Sequence, residues 1–407
     1  MSTQKIDQRT ARAINSAMIL NELRREGPMS RARLAERSGL SAAAISIVAS
    51  ELLEQGLVVL RPDLSDQTSR RSVPLDVNYA GHYAIGMKLN VDSIEVGITD
   101  LSLQVLASQV LPLPNGTPRA VVATAEVALE YLMGQVHFKK QRLVGAGMAM
   151  AGIIDVTRGI CLHSHRHGWT DVPITSMLEE RLGVSAWVDN DLNAFATAER
   201  LLGRGKQSNN FMVVTFGSGI GGAFVLDGKL FRGAVGGAGE LGHMIVEPEG
   251  RLCACGRHGC LEAYISEPNI LAQWQERHPD QTLPEGDALL ELVTQRNESV
   301  LELLDEAGRR YGRVLANIVT LFNPELMIIT GETVRLGEAV FGPLREELGR
   351  NVFGNAQSFT LLVDEQPDPL HTWLRGAAGL AVEQFFNVNS MAKPPMISAA
   401  DWANRPF

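Results

Sequence analysis

The sequence predicts an α/β protein of two mixed halves with a winged helix-turn-helix at its N-terminus, and three observations carry that reading. Residues 9–54 hold three helical periods separated by Gly-Pro and Ser-Gly breaks. Residues 57–77 hold two short apolar runs around a polar loop, and from residue 83 short strands alternate with long helical stretches. At 407 residues, with 45% hydrophobic content and a formal net charge of −9, the chain is long enough for two or three domains. The expected division is 1–80 for the head, 81–200 for the first α/β lobe, 201–390 for the second and 391–407 for a tail.

In the head, an amphipathic helix over 9–26 stops at Gly27-Pro28. Ser30 caps a short second helix that turns Leu34 and Ala35 inward and ends at Gly39; Ser41 then caps a third. In that third helix Ile45, Val48, Ala49 and Leu52 form a core stripe, leaving Ala42, Ala43, Ser46 and Ser50 as a small outer face. Two helices joined by a short Gly turn place the second in the major groove of double-stranded DNA. Ser41, Ala42, Ala43 and Ser46 are therefore expected at base edges, and Arg31 and Arg33 at phosphates. Residues 57–60 and 73–77 read as a hairpin wing whose tip carries Arg70 and Arg71, side chains suited to a narrow minor groove. The alternative for such a unit is a protein-docking module. Charge favours DNA: residues 1–80 hold 11 Lys and Arg against nine Asp and Glu, whereas the remainder is acidic.

Three of the four cysteines fall in the spacing His243-x9-Cys253-x-Cys255-x4-Cys260. Thiolate and imidazole are the donors Zn²⁺ prefers, and one Cys3His set closes a structural tetrahedron. His258 is an alternative fourth ligand, buried or oxidised thiols are the metal-free alternative, and Cys161 reads as a small hydrophobe. The N-terminal residues lack a secretory pattern, and no apolar run approaches the roughly 20 residues needed to cross a bilayer. A cytoplasmic protein without membrane insertion, its thiols reduced, is expected.

A cleft between halves is the default ligand site. In VDNDLNAFATAER a strand end delivers Asn190 and Asp191 just before a helix, where an amide beside a carboxylate suits adjacent sugar hydroxyls. Asp191 as a plain helix cap is the other reading. Glu240 and His243 in GAGELGH, and Glu262 just past the last cysteine, are pinned by the zinc knuckle. The glycine-rich segment 215–230 is either a tight turn or a phosphate cradle built from Gly217, Ser218 and Gly219. His163, His165 and His167 alternate in CLHSHRHGW, as a solvated loop, pocket lining or a second metal site.

Together these elements resemble the ROK family (repressors, open reading frames and kinases), within it the regulator branch of xylose and N-acetylglucosamine repressors. The resemblance spans the head, YAIGMKLNVDSIEVGITD, AGIID at 151–155, GW-x-x-VPI at 168–174, DNDLNA, FGSGIGG, ExGH, CxCGxxGCLE and ITGE at 329–332. It implies a two-lobed actin-like (ribonuclease H-like) sugar kinase fold, sugar-binding positions at Asn190, Asp191, Glu240, His243 and Glu262, and structural zinc on His243, Cys253, Cys255 and Cys260. Family kinases carry a DxGGT phosphate motif where this chain has Lys88, Asn90, Val91 and Asp92, and ITGE lacks their triple glycine. An ammonium repels Mg²⁺ and side chains crowd the nucleotide, so no kinase activity is expected. Lys88 could instead hold the phosphoryl of a sugar phosphate against Gly217, Ser218 and Gly219, or could fill an abandoned site or pair with Asp92 or Asp100. The wing carries Ser69 and Ser72 where relatives often have glycine and proline.

The expected function is a sugar-responsive, DNA-binding repressor of carbohydrate uptake or catabolism genes, a homodimer or homotetramer on a near-palindromic operator, with a sugar or sugar-phosphate effector. The alternatives are a ROK sugar kinase with an added regulatory head and a repressor controlled by docking of a transporter protein.

Overall fold

The computed structural model describes residues 8–64, 73–136, 140–354, 359–364 and 369–387. The chain forms two compact units, Met1–Gln207 with Leu370–Phe407, and Ser208–Pro369.

The head of the first unit holds helices α1 (Gln8–Glu26), α2 (Arg31–Ser38) and α3 (Ala42–Glu54) and the antiparallel pair β1 (Val58–Leu60) and β2 (Leu75–Val77). Both expected caps form. Ser30 Oγ accepts from the Arg33 N–H at 3.3 Å, and Ser41 Oγ from the Ala44 N–H at 3.2 Å. Gly39 leaves α2 at φ 71°, the left-handed conformation that glycine adopts without steric cost. The stripe Ile45, Val48, Ala49 and Leu52 is buried against Ile19, Leu20, Leu23 and Leu34. That core does not stop at the head: Leu101, Leu103, Ala198, Ala381, Val382 and Phe386 belong to it. The wing tip, with Arg70 and Arg71 and the flanking Ser69 and Ser72, lies outside the described residues, as does the tail 391–407.

Behind the head come β3 (Tyr83–Leu89), β4 (Ser93–Asp100), β5 (Val105–Pro112), α4 (Pro118–Gln135) and β6 (Leu143–Met150). The small sheet β7 (Ile153–Asp155), β8 (Ile160–Ser164) and β9 (Trp169–Val172) follows, then α5 (Ile174–Leu182), β10 (Ala186–Asn190) and α6 (Asp191–Leu201). The main sheet runs β10-β6-β3-β4-β5: an antiparallel meander extended by two parallel strands.

The second unit repeats this order. Its strands are β11 (Phe211–Thr215), β12 (Gly222–Leu226) and β13 (Lys229–Phe231), then β14 (Leu326–Thr330) and β15 (Thr360–Val363), with β14 parallel to β11 and β15 parallel to β14. Between and after them lie α7 (Glu262–Ile265), α8 (Glu267–Arg277), α9 (Ala288–Thr294), α10 (Glu298–Phe322) and α11 (Glu338–Asn351). Two sheets of one topology are what two mixed α/β halves require, although sequence similarity between the halves is not visible.

The sequence division differs in two respects: residues 1–207 stand in one unit, without its cuts at 80 and 200, and the C-terminal helix is placed differently. The last helix, α12 (Pro369–Phe386), belongs to the first unit and not to a second lobe ending at 390. It lies directly on the first sheet: a Cβ at Gly147 would sit 1.8 Å from Ala377 O, and one at Gly86 2.5 Å from Leu374 O. Only glycine permits that approach, and nothing in the local pattern of α12 says which sheet it covers.

Candidate functional site

The outer face of α3 is as the period predicts. Ser41, Ala42, Ala43, Ser46 and Ser50 are exposed, Arg33 is exposed and Arg31 half-buried. Ile47 was missed: it is 56% exposed beside Ala43 and Ser46, a branched apolar side chain without a core to fill. An aliphatic group on a recognition helix matches the thymine C5-methyl. Replacing Ile47 by alanine is expected to weaken operator binding roughly fivefold to tenfold, the loss of about 1–1.4 kcal/mol of apolar contact, while leaving nonspecific DNA affinity unchanged in a salt-controlled titration. Arg37 is unavailable to DNA in this arrangement, since Glu22 and Glu26 hold it at 2.6 and 2.9 Å.

In the first unit, β10 ends at Asn190 and α6 begins at Asp191. Asn190, not Asp191, is the cap: its Oδ1 accepts from the Leu192 N–H at 3.0 Å and its Nδ2 donates to Gly152 O at 3.2 Å. Asp191 is thereby left free of the capping role. Its Oδ2 meets Lys88 Nζ at 2.5 Å, so Lys88 pairs with Asp191 and not with Asp92 or Asp100, the partners weighed from the sequence. The same ammonium lies 5.6 Å from the centroid of the Trp373 ring of α12. Asp189, fully buried, fixes the strand end by accepting from the Asn190 N–H and from Asn193 Nδ2. Of the three alternating histidines, half-buried His163 and exposed His165 touch each other through Nε2 at 3.1 Å, and His167 is half-buried.

The other end of α6 reaches the head. Arg24 of α1, only 7% exposed, donates from its guanidinium to Leu201 O and lies 5.5 Å over the Phe386 ring of α12. Burial, with Arg200 nearby, lowers its pKa to about 10, which still leaves it charged at neutral pH. Asn21 Nδ2 donates to Phe386 O at 2.9 Å, and Arg200 pairs with Glu383.

In the second unit, His243, Cys253, Cys255 and Cys260 place their ligand atoms within 4.8 Å of one another, the only such group among the described residues. His243 Nδ1 is 3.7 Å from Cys253 Sγ, and Cys255 Sγ is 3.7 Å from Cys260 Sγ. Metal–sulfur bonds of about 2.3 Å in a tetrahedron require edges of about 3.8 Å, so the spacing fits one ion. None of the thiols is in a disulfide. Burial pushes the Cys253 thiol up to about 12 and raises that of Cys260; at Cys255 burial acts the same way, but hydrogen bonds from Arg257 bring it down to about 6. Such a set resists full ionisation without a cation and accepts it with one. His258 stands outside this group of converging ligand atoms, and its Nδ1 bonds Gly250 O at 2.9 Å. Glu262 opens α7, and its Oε2 accepts from the Ile220 N–H at 3.0 Å; Glu240 is exposed just before the short turn that carries His243.

The glycine-rich loop holds a carboxylate of the protein itself. Glu332 accepts from the Ser218 N–H at 3.1 Å and from its hydroxyl at 3.4 Å, and a Cβ at Gly217 would lie 1.8 Å from Glu332 Oε2. A phosphate taken by the Ser218 N–H would have to displace Glu332. The missing glycines of ITGE are visible in the sequence, whereas the reach of its glutamate to the loop is a long-range contact that local pattern does not reveal.

The ROK family model matches residues 84–384, and the MarR family model matches residues 13–67. The xylose repressor of Bacillus spizizenii is 27% identical over 395 residues, 95% of this chain and 99% of that protein. The DNA-binding transcriptional dual regulator NagC of Escherichia coli is 28% identical over 332 residues, 78% of this chain and 80% of its own. Among solved structures, a ROK family transcriptional regulator described as a homolog of E. coli MLC protein has the same fold, with TM-score 0.78 and 22% identity over 94% of this chain and 100% of its own. A ROK family glucokinase from Streptomyces griseus, solved with glucose and AMPPNP, covers 74% of this chain and 99% of its own, with TM-score 0.63 and 27% identity.

Proposed function

The chain belongs to the ROK family, and we propose that it is a sugar-responsive repressor of carbohydrate uptake or catabolism genes that reads operator DNA with its N-terminal head. The observation that carries this reading is the single hydrophobic core shared by the head, the first α/β unit and α12. A head packed in this way moves with the body and does not hang from a linker.

Helix α6 supplies the coupling. Its first residue, Asp191, is a proposed sugar contact, and its last carbonyl accepts from Arg24 of the head. Eleven residues at 1.5 Å each span about 16 Å as one rigid element. A sugar that binds the two head positions unequally shifts the balance between them, and only by that difference in affinity. Asn190 and Asp191 in the first unit, and Glu240, His243 and Glu262 in the second, are the proposed effector contacts. Zinc on His243, Cys253, Cys255 and Cys260 is proposed as a structural ion that fixes the segment joining Glu240 to Glu262. A near-palindromic operator and a homodimer or homotetramer complete the proposal.

The chain is taken as a non-enzyme. Lys88 pairs with the carboxylate that a kinase would need as base, and Glu332 occupies the phosphate loop. Lys88→Asp is accordingly expected to leave ATP turnover at background in a coupled assay with glucose or xylose, since the loop remains filled; strong turnover from that single change would show an otherwise intact nucleotide site.

Selection of fragments from the genome that encodes the chain tests the reading. The purified protein should enrich a near-palindromic sequence beside carbohydrate genes. Enrichment of no sequence would remove the repressor assignment.

A further inference from the structure

We propose that His167 is a further effector-binding residue: with Asp191 it forms a subsite for one uncharged hydroxyl, and it decides which stereochemistry at that hydroxyl is accepted. The proposal rests on the sugar-responsive reading above and names a contact that reading does not contain.

Three elements of the first unit meet here. Lys88 stands on β3, Asp191 opens α6, and His167 sits in the turn between β8 and β9. Gly152 ties the β10 end to the strand that leads into this turn: its carbonyl accepts from Asn190 Nδ2 at 3.2 Å, and a Cβ on it would lie 2.7 Å from His163 O and 3.0 Å from Ser164 Cβ. The charges of Lys88 and Asp191 both act on the imidazole. Lys88 Nζ takes Asp191 Oδ2 at 2.5 Å and cancels its charge, but Oδ1 is buried and has no hydrogen-bond partner among the described residues. His167 Nε2 is likewise buried and without a partner. Two orphaned buried polar atoms of complementary character are costly unless something bonds both. A hydroxyl is the smallest group that does so, donating to Oδ1 and accepting from an Nε2–H.

The surroundings exclude charged ligand groups. Burial first, and the Lys88 and Arg166 charges after it, hold the imidazole below its ordinary pKa against the opposing pull of Asp191, so it is neutral at pH 7. With Lys88 and Asp191 neutralising each other, a charged ligand group would have to break that ion pair to find a partner of its own. The subsite is also held in place. The Lys88 ammonium lies over the Trp373 ring, and the His167 ring lies 5.5 Å from that of Trp169, whose Nε1–H donates to Gly116 O at 2.8 Å. Specificity follows from this arrangement, because a site built to bond a hydroxyl rejects a ligand that lacks it or points it elsewhere.

Calorimetric titration of the full chain tests the inference, first with D-xylose, D-glucose and N-acetyl-D-glucosamine, then with single-hydroxyl epimers and the phosphate ester of whichever binds. His167→Ala is expected to bind the sugar at least tenfold more weakly and to lose discrimination at one ring position, with His167→Gln restoring part of both and sugar-free melting unchanged. Wild-type affinity and epimer ranking in both variants, with Glu262→Gln still weakening the sugar, would overturn the His167 subsite and leave the sugar reading standing. A sugar phosphate preferred over its parent sugar, with the preference abolished by Lys88→Ala, would place an anion here and overturn it too. No binding of any sugar to the wild type would overturn both readings.

Discussion

Replacing Cys260 with serine is expected to leave the purified protein with little zinc and to lower its melting temperature by roughly 6–12 °C. Zinc held by a Cys3His set contributes on the order of 10 kcal/mol in small zinc modules. In a unit with a large core of its own a smaller part of that shows as stability. A loss of about 3 kcal/mol, at about 2–4 °C per kcal/mol for a unit of this size, gives the stated range. Cys260 is the sensitive choice because it is fully buried with its Sγ 3.7 Å from that of Cys255. Cys161, buried in the core of the first unit, is the control: Cys161→Ala should retain the metal. Elemental analysis and a melting scan decide the matter together. Full zinc content and unchanged melting in Cys260→Ser would remove this residue from the ligand set.

Arg24→Met is expected to separate sugar binding from its effect on DNA binding. The guanidinium is the link from α1 to the last carbonyl of α6, and methionine keeps the apolar stem against Phe386 while removing the donor and the charge. Coupling energies of this kind run at about 1–3 kcal/mol, or about fivefold to 150-fold in affinity. The effect of sugar on operator affinity should therefore fall to below about twofold in the variant, while calorimetric affinity for the sugar alone stays within about threefold. A variant that responds to sugar as the wild type does would show that the signal takes another route.

How far the sequence predicted these features depends on whether the partners are close along the chain. The convergence of His243, Cys253, Cys255 and Cys260 was readable because the four donors lie within one short segment with fixed spacing, and the caps at Ser30 and Ser41 because a cap is a local contact. The alternation of short strands with long helices from residue 83 followed from hydrophobic period alone. What period cannot supply is the identity of a distant partner. The pairing of Lys88 with Asp191, the reach of Glu332 into the loop at Ser218, and the return of α12 to the first sheet each join residues far apart in the chain. Asn190 as cap in place of Asp191 is a narrower miss, one position in register at a strand-to-helix junction. Ile47 was recoverable: it lies off the stripe of Ile45, Val48, Ala49 and Leu52, and the exposed position of so apolar a residue was the signal.

The most direct test of a sugar-controlled repressor is fluorescence anisotropy of the full chain on DNA from upstream of its own gene, at fixed salt, titrated with sugars and sugar phosphates. The account predicts specific binding that one uncharged sugar changes at least fivefold and its phosphate ester does not. Specific binding indifferent to every sugar, or no specific binding to any fragment enriched from the genome, would contradict it.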